Sequence, residues 1–316
     1  GLAQRALTSL PAVVAAAGFT LRLAALLRAL DVDVVHTNSL KADLLGGIAA
    51  RLAGKPLVWY VHDRITADYL PSPLASGLRW TARHLPHQVL ANSQATLNTL
   101  LPLPAGRYAV AYPGLEPAAF TGSGPLRERW VIGMIGRISP TKGQDVFLRA
   151  AARLLTTHPG VRFVVVGAAL FNEAEYERQV RALACSLGLE GQVRFTGQLS
   201  DPAAEMRRFD VLVHASPVPE PFGQVITEAM AAGVPVIATA GGGATEIVRG
   251  DCDLGRLVPP GDDAALAGAM RDLLDNPGEA GQMAERARVA VADRFGIDRT
   301  AEAVTAAWLR AARRPS

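Results

Sequence analysis

Cysteine is almost missing: the 316 residues hold two, Cys185 and Cys252, with no partner spacing. That excludes a disulfide framework and a cysteine zinc site, and it fits a reducing compartment with both thiols as small buried hydrophobes. Charged residues are few at 19%, against 49% apolar, which describes a globular chain and not a disordered one. The net charge of +3, with a pI near 9.1, is too small an excess to indicate nucleic acid, although it suits phosphate-bearing substrates or an anionic membrane surface. At the amino end there is no Met and no cationic segment leading into an apolar stretch and a cleavage site, so a cytoplasmic protein is expected. The apolar run at 7–21 is too short to span a bilayer and contains Pro11, which predicts a buried or interfacial helix.

What is present is alternation. A helix at 6–30, broken near Pro11, leads to a strand at 32–36. Then come helix 39–52, strand 57–61, helix 76–84, strand 88–91, helix 94–101 and strand 108–111. Residues 116–129, with Pro117, Gly122, Gly124 and Pro125, carry the strongest linker signal. Strands resume near 131–135, 161–166, 192–195, 210–213, 234–238 and 255–258, and helices at 277–293 and 298–312 close the chain. Near-continuous apolar strands separated by helices imply parallel sheets covered on both faces, hence an α/β protein of two domains, 1–115 and 130–296, with a terminal helix in 297–316.

Two stretches carry chemistry. Residues 217–233 read as a helix from about Phe222 to Ala232, with Pro221 at a first helical position and Gly233 at the stop. The amides of Phe222, Gly223 and Gln224 would then lack intrahelical acceptors and form an anion site. Glu220 and Glu228 bracket the element, about 12 Å apart along the axis. That excludes a tight carboxylate pair but fits an extended ligand with hydroxyl-rich ends and a negative centre, such as a nucleotide diphosphate sugar. Taken alone, the two acids equally fit a dipole complement and a solvated face. The second stretch is a strand running into a loop with Arg137 and Lys142, where a parallel sheet places ligands. Gly136 is followed by Thr141-Lys142-Gly143, which is not a Walker A loop.

With Gly242-Gly243-Ala244-Thr245-Glu246 and Leu257-Val258-Pro259-Pro260-Gly261-Asp262 added, these motifs resemble glycosyltransferase family 4 from about residue 30 onward. The resemblance implies a GT-B fold, two Rossmann-like domains with parallel sheets facing across a cleft. The first domain is acceptor-side and, with about four strands where the family has about seven, truncated by roughly three. A sheet cut this way would expose an edge and apolar surface. The terminal helix would cross back to the first domain, with Trp308 as an anchor. The reaction implied is sugar transfer, with retention, from a UDP-, GDP- or other nucleotide sugar to a hydroxyl of a lipid-linked or saccharide acceptor. Neither cofactor nor metal is implied, and peripheral association with the inner face of the membrane is compatible.

Residue by residue, Arg137 and Lys142 would grip the diphosphate, Glu228 the ribose hydroxyls and Glu220 the sugar. The amides of Phe222, Gly223 and Gln224 would touch sugar or phosphate. His62, at a strand end in Trp59-Tyr60-Val61-His62-Asp63, matches the family's active-site histidine, and His36 has a similar place. His84 and His87 lack a third metal ligand, while His158 and His214 read as ordinary structural histidines. Asp31-Val32-Asp33 opens a strand instead of closing one, which disfavours a metal-dependent GT-A enzyme, and Asp251-Cys252-Asp253 has no better context. Two alternatives stay open: a non-catalytic sugar-nucleotide module and a sugar-nucleotide epimerase.

Overall fold

A computed structural model describes residues 10–116, 119, 130–249 and 253–313. Most of the expected linker, Cys252 and Asp251 lie outside the described residues. The chain divides into two compact units, Gly1–Tyr112 with Asp298–Ser316, and Pro113–Ile297.

The first unit contains α1 (Leu10–Ala29), β1 (Val35–Thr37), α2 (Leu40–Leu52), β2 (Leu57–Val61), α3 (Ser72–His84), β3 (Gln88–Ala91), α4 (Gln94–Leu100) and β4 (Tyr108–Val110). The four strands form a parallel sheet in the order β1-β2-β3-β4. β2 is buried at every position because both faces are covered. Leu57, Trp59 and Val61 enter one core layer with Ile65, Ala75 and Leu78. Val58 and Tyr60, pointing the other way, meet Ala307 and Ala311 of the chain's last helix, Ile297–Ala312. Trp308 on that helix donates from Nε1 to His36 Nδ1 at 2.7 Å.

α1 falls within the expected helix at 6–30, and whether that helix breaks before Pro11 lies outside the described residues. The expectation that the apolar run is too short is corrected: 11–29 is helical, long and apolar enough to cross a bilayer by length and composition. Much of it is exposed, including Val13, Val14, Phe19, Leu21 and Leu26.

The second unit runs β5 (Val131–Ile135), α5 (Gln144–Leu155), β6 (Arg162–Val166), α6 (Ala174–Ser186), β7 (Val193–Gly197), α7 (Pro202–Met206), β8 (Val211–His214), α8 (Gln224–Ala231), β9 (Val236–Thr239), α9 (Gly242–Val248), β10 (Arg256–Val258), α10 (Asp263–Asp275) and α11 (Pro277–Arg294); α12 is the last helix. Its six parallel strands are ordered β10-β9-β8-β5-β6-β7. The order reverses between β5 and β8, which pair through Ile132 with Val211 and Gly133 with Leu212. A reversal of this kind opens a crevice at the carboxyl ends of the two strands. Asp210 locks the junction: its Oδ2 accepts from the Val131 amide at 2.7 Å, and its amide donates to the Val131 carbonyl at 2.8 Å. Cys185 is exposed near the end of α6, correcting its expected burial.

Candidate functional site

The loop after β5 is held from beneath. Ile138 is fully buried, and buried Gln144 donates to the Arg137 carbonyl at 2.9 Å while accepting from the Ser139 amide at 3.3 Å. Gly143 has φ 75°, and a Cβ there would lie 2.1 Å from the Ala215 carbonyl oxygen, so only glycine lets this loop press against the end of β8. Lys142 is thereby carried to the segment after β8. Its Nζ reaches Glu220 Oε1 at 2.7 Å across 78 residues of sequence. Arg137 sits in the same loop, its Nε 3.6 Å from Glu173 Oε2 and its guanidinium 5.6 Å from the Phe171 ring centre.

The helix start differs from the expected one. Phe222 turns into the core and meets Phe295 edge-on at 5.6 Å, and Gly223, with φ 109°, caps the helix. Regular helix therefore begins at Gln224, two residues later than expected, because the buried ring and the left-handed glycine interrupt the turn Pro221 would have opened. The first-turn amides without intrahelical acceptors accordingly start at Gln224. One helical turn on, Gln224 Nε2 donates to Glu228 Oε1 at 2.9 Å. Burial pushes the Glu228 carboxyl up, with the Gln224 hydrogen bond opposing.

Glu220 is the most strongly perturbed group of the cluster. Burial would push its carboxyl up, but His214, 3.2 Å away at the end of β8, and then Lys142 outweigh that and hold it well below the usual carboxylate range. Ser216 also donates its hydroxyl to Glu220 Oε1. The Glu220 backbone is fixed in turn, its carbonyl accepting from the Gly243 amide at 3.0 Å.

Four of the expected residues, Lys142, Glu220, Gln224 and Glu228, thus form two contacting pairs, with Arg137 in the Lys142 loop. His214, Ser216 and Gln144 were not singled out for the site. His214 carried a usable signal, since it ends a predicted strand just as His36 and His62 do.

In the first unit, His62 follows β2, its ring centre 4.1 Å from that of Tyr60, and Asn92 Nδ2 donates to its carbonyl at 3.3 Å. Burial lowers its pKa, the Asp63 charge opposing. His36 is also lowered, first by burial and then by the His62 charge. Indole N–H is a donor only, so His36 Nδ1 is the acceptor in its bond with Trp308. His87 Nδ1 accepts from the Leu57 amide at 3.0 Å, and His84 Nδ1 lies 2.7 Å from the Trp80 carbonyl. Among the described residues no three His, Cys, Asp or Glu side chains gather as a metal-ligand set.

Residues 119–290 match the family described as glycosyl transferases group 1, and residues 5–119 match glycosyltransferase family 4. A D-inositol 3-phosphate glycosyltransferase from Acidothermus cellulolyticus is 33% identical over 299 residues, 86% of this chain. A protein of the same name from Kribbella flavida is 30% identical over 301 residues, 87% of this chain. The chain spans 66% and 70% of their respective lengths. Among solved structures, Anabaena HepE in complex with UDP and glucose superposes with a TM-score of 0.83 at 29% identity, covering 91% of this chain and 80% of that one.

Proposed function

The chain belongs to glycosyltransferase family 4, of the group 1 glycosyl transferases, and from that premise we propose that it transfers a sugar, with retention at the anomeric carbon, from a UDP-sugar to an acceptor hydroxyl. The observation that carries this reading is the contact between Lys142 and Glu220 at the β5/β8 reversal, with Glu228 paired to Gln224 in the helix that follows. A diphosphate set there meets the Lys142 ammonium, the Arg137 guanidinium and the first-turn amides of α8, all of which favour negative charge. Glu228 serves the ribose hydroxyls, and Glu220, held ionised, accepts from a hydroxyl of the sugar. The same cations stabilise the charge that grows on the leaving diphosphate as the anomeric bond breaks, which is where electrostatic help lowers the barrier. His62, from its likeness to the family's active-site histidine, is assigned to the reacting sugar. UDP is favoured as the nucleotide because HepE is described in complex with UDP and with UDP-glucose. The acceptor is a lipid-linked or saccharide hydroxyl, met in the cytoplasm or at the inner membrane face.

The test is calorimetry with UDP, GDP, ADP and TDP and their sugars, followed by transfer assays with D-inositol 3-phosphate and lipid-linked saccharides as acceptors. Glu228→Ala and Arg137→Ala are each expected to weaken nucleotide diphosphate binding by about 1.5–3 kcal/mol, the worth of a lost charge-assisted hydrogen bond. Unchanged affinity in both variants would remove the site assignment. Binding without turnover would mark a sugar-nucleotide module instead.

A further inference from the structure

His214 has no place in the donor contacts just described, yet it is the most enclosed ionisable group beside them. Its side chain is 4% exposed, and neither ring nitrogen has an aligned hydrogen-bond partner. Leaving an imidazole in that condition at the end of a core strand costs stability, so its retention there calls for a compensating role.

The atoms around it indicate which. Three groups converge on one oxygen of Glu220: Lys142 Nζ at 2.7 Å, the Ser216 hydroxyl, and His214 Nε2 at 3.2 Å, all on Oε1. None of these contacts involves Oε2, and Oε2 is not among the buried atoms left without a partner. The two oxygens of a single carboxylate are thus unequal, one crowded by donors and one with its lone pairs available. The clamp stands on strand ends, His214 closing β8 and Thr239 closing β9, with the Thr239 hydroxyl donating to the Ser216 carbonyl at 2.7 Å. Side chains fixed to strand ends hold orientation better than side chains on loops.

We propose that His214 is a positioning residue for recognition of the donor sugar: with Ser216 and Lys142 it fixes Oε1 of Glu220 so that Oε2 faces a sugar hydroxyl. The inference rests on the reading of this tip as a nucleotide-sugar site. It requires a proton on Nε2, which both the imidazolium and one neutral tautomer supply. A nucleotide diphosphate without its sugar does not use Oε2, so the clamp governs the sugar-bearing donor alone.

The experiment compares His214→Leu with His214→Gln, whose amide keeps an N–H close to the Nε2 position. The readouts are donor KM and kcat, calorimetric affinity for UDP, and a 13C titration of the Glu220 carboxylate. For His214→Leu, the donor kcat/KM is expected to fall about 10- to 100-fold, carried mainly by KM, with UDP affinity within about twofold of wild type. The Glu220 titration is expected to move up by about 1–3 pH units in that variant. His214→Gln is expected to recover most of both. An unchanged KM and an unchanged Glu220 titration in His214→Leu would overturn the proposal, as would a parallel loss of UDP affinity. If the wild type takes no nucleotide sugar, the donor-site reading fails while the carboxylate titration still decides the clamp. Should His214→Leu not fold, Ser216→Ala, which removes another donor to Oε1, is expected to raise donor KM and the Glu220 titration in the same direction with UDP affinity kept, and no change in either would overturn the clamp.

Discussion

Each unit buries a carboxylate near the carboxyl end of a parallel strand, and the two are handled in opposite ways. Asp43, in the first turn of α2, has one partner, the Thr37 hydroxyl donating to Oδ1 at 2.5 Å, while Oδ2 is buried with none. Burial pushes Asp43 up to about 7, the Thr37 bond opposing and the Asp63 charge adding to the rise. Glu220 is also enclosed, yet a lysine, a serine and a histidine surround one oxygen and keep it charged. Burial by itself therefore does not decide ionisation; the number and charge of the donors that come with it does. The first unit keeps its polar interior near neutral, with Asp43 raised and His36 and His62 lowered, whereas the second keeps a compensated charge where an ionic ligand is proposed to bind.

The contrast is open to direct attack, and the largest effect expected lies in the chemistry. His62→Ala should reduce transfer by roughly 10²–10³-fold while donor affinity stays within about twofold, because His62 is proposed to act on the reacting sugar and not to hold the nucleotide diphosphate. A wild-type rate in that variant would return His62 to a packing role.

Next in size is Asp43→Asn. A carboxyl raised in the folded state gives stability that is present below its unfolded pKa and is lost as pH rises through about 7. The amide escapes that loss, so the variant should be more stable than wild type at pH 8, by on the order of 2–4 kcal/mol, and the gain should fade toward pH 4. Denaturant titrations at the two pH values measure this, and no gain at pH 8 would mean that Asp43 is ionised and compensated after all.

Lys142→Met tests the opposite case. The depressed Glu220 pKa gives stability present above the usual carboxylate range and lost as pH falls toward its folded value. With one cation removed, acid unfolding monitored by circular dichroism should begin at higher pH than in wild type. An identical acid limb would leave His214 and Ser216 as sufficient partners.

The smallest effect expected is that of Trp308→Phe, which removes one side-chain hydrogen bond and should cost about 1 kcal/mol. It should also raise the His36 pKa, since the indole N–H supports the neutral ring. A lowered histidine loses folded-state stability as pH falls below its unfolded value, so the variant should show a weaker acid loss from this site.

Much of this was legible in the chain. The strands at 57–61, 88–91 and 131–135 coincide with their apolar runs, because a strand covered on both faces needs an unbroken hydrophobic stretch. Lys142, Glu220 and Glu228 could be singled out because Lys142 stands beside Gly143 in a loop after an apolar strand, and the two acids bracket a helix start in a motif that resembles the family's. Phe222 could not be placed, since nothing local distinguishes a ring that starts a helix from one that turns into the core against Phe295. His214 was passed over because a histidine ending a buried strand looks the same whether its ring faces packing or a carboxylate.

The sequence by itself determined the α/β alternation, the parallel strands, the family and the residue types available for holding an anion, all of which rest on local periodicity and short-range motifs. Only the tertiary structure decided that β8 lies beside β5, and with it that Lys142 and Glu220 meet across 78 residues, that three donors share Oε1, and that Asp43 lacks such company. The physical reason is that ionisation and hydrogen bonding depend on distances of a few ångströms between strand ends, and the crossovers that set those distances leave no mark in the local pattern of residues.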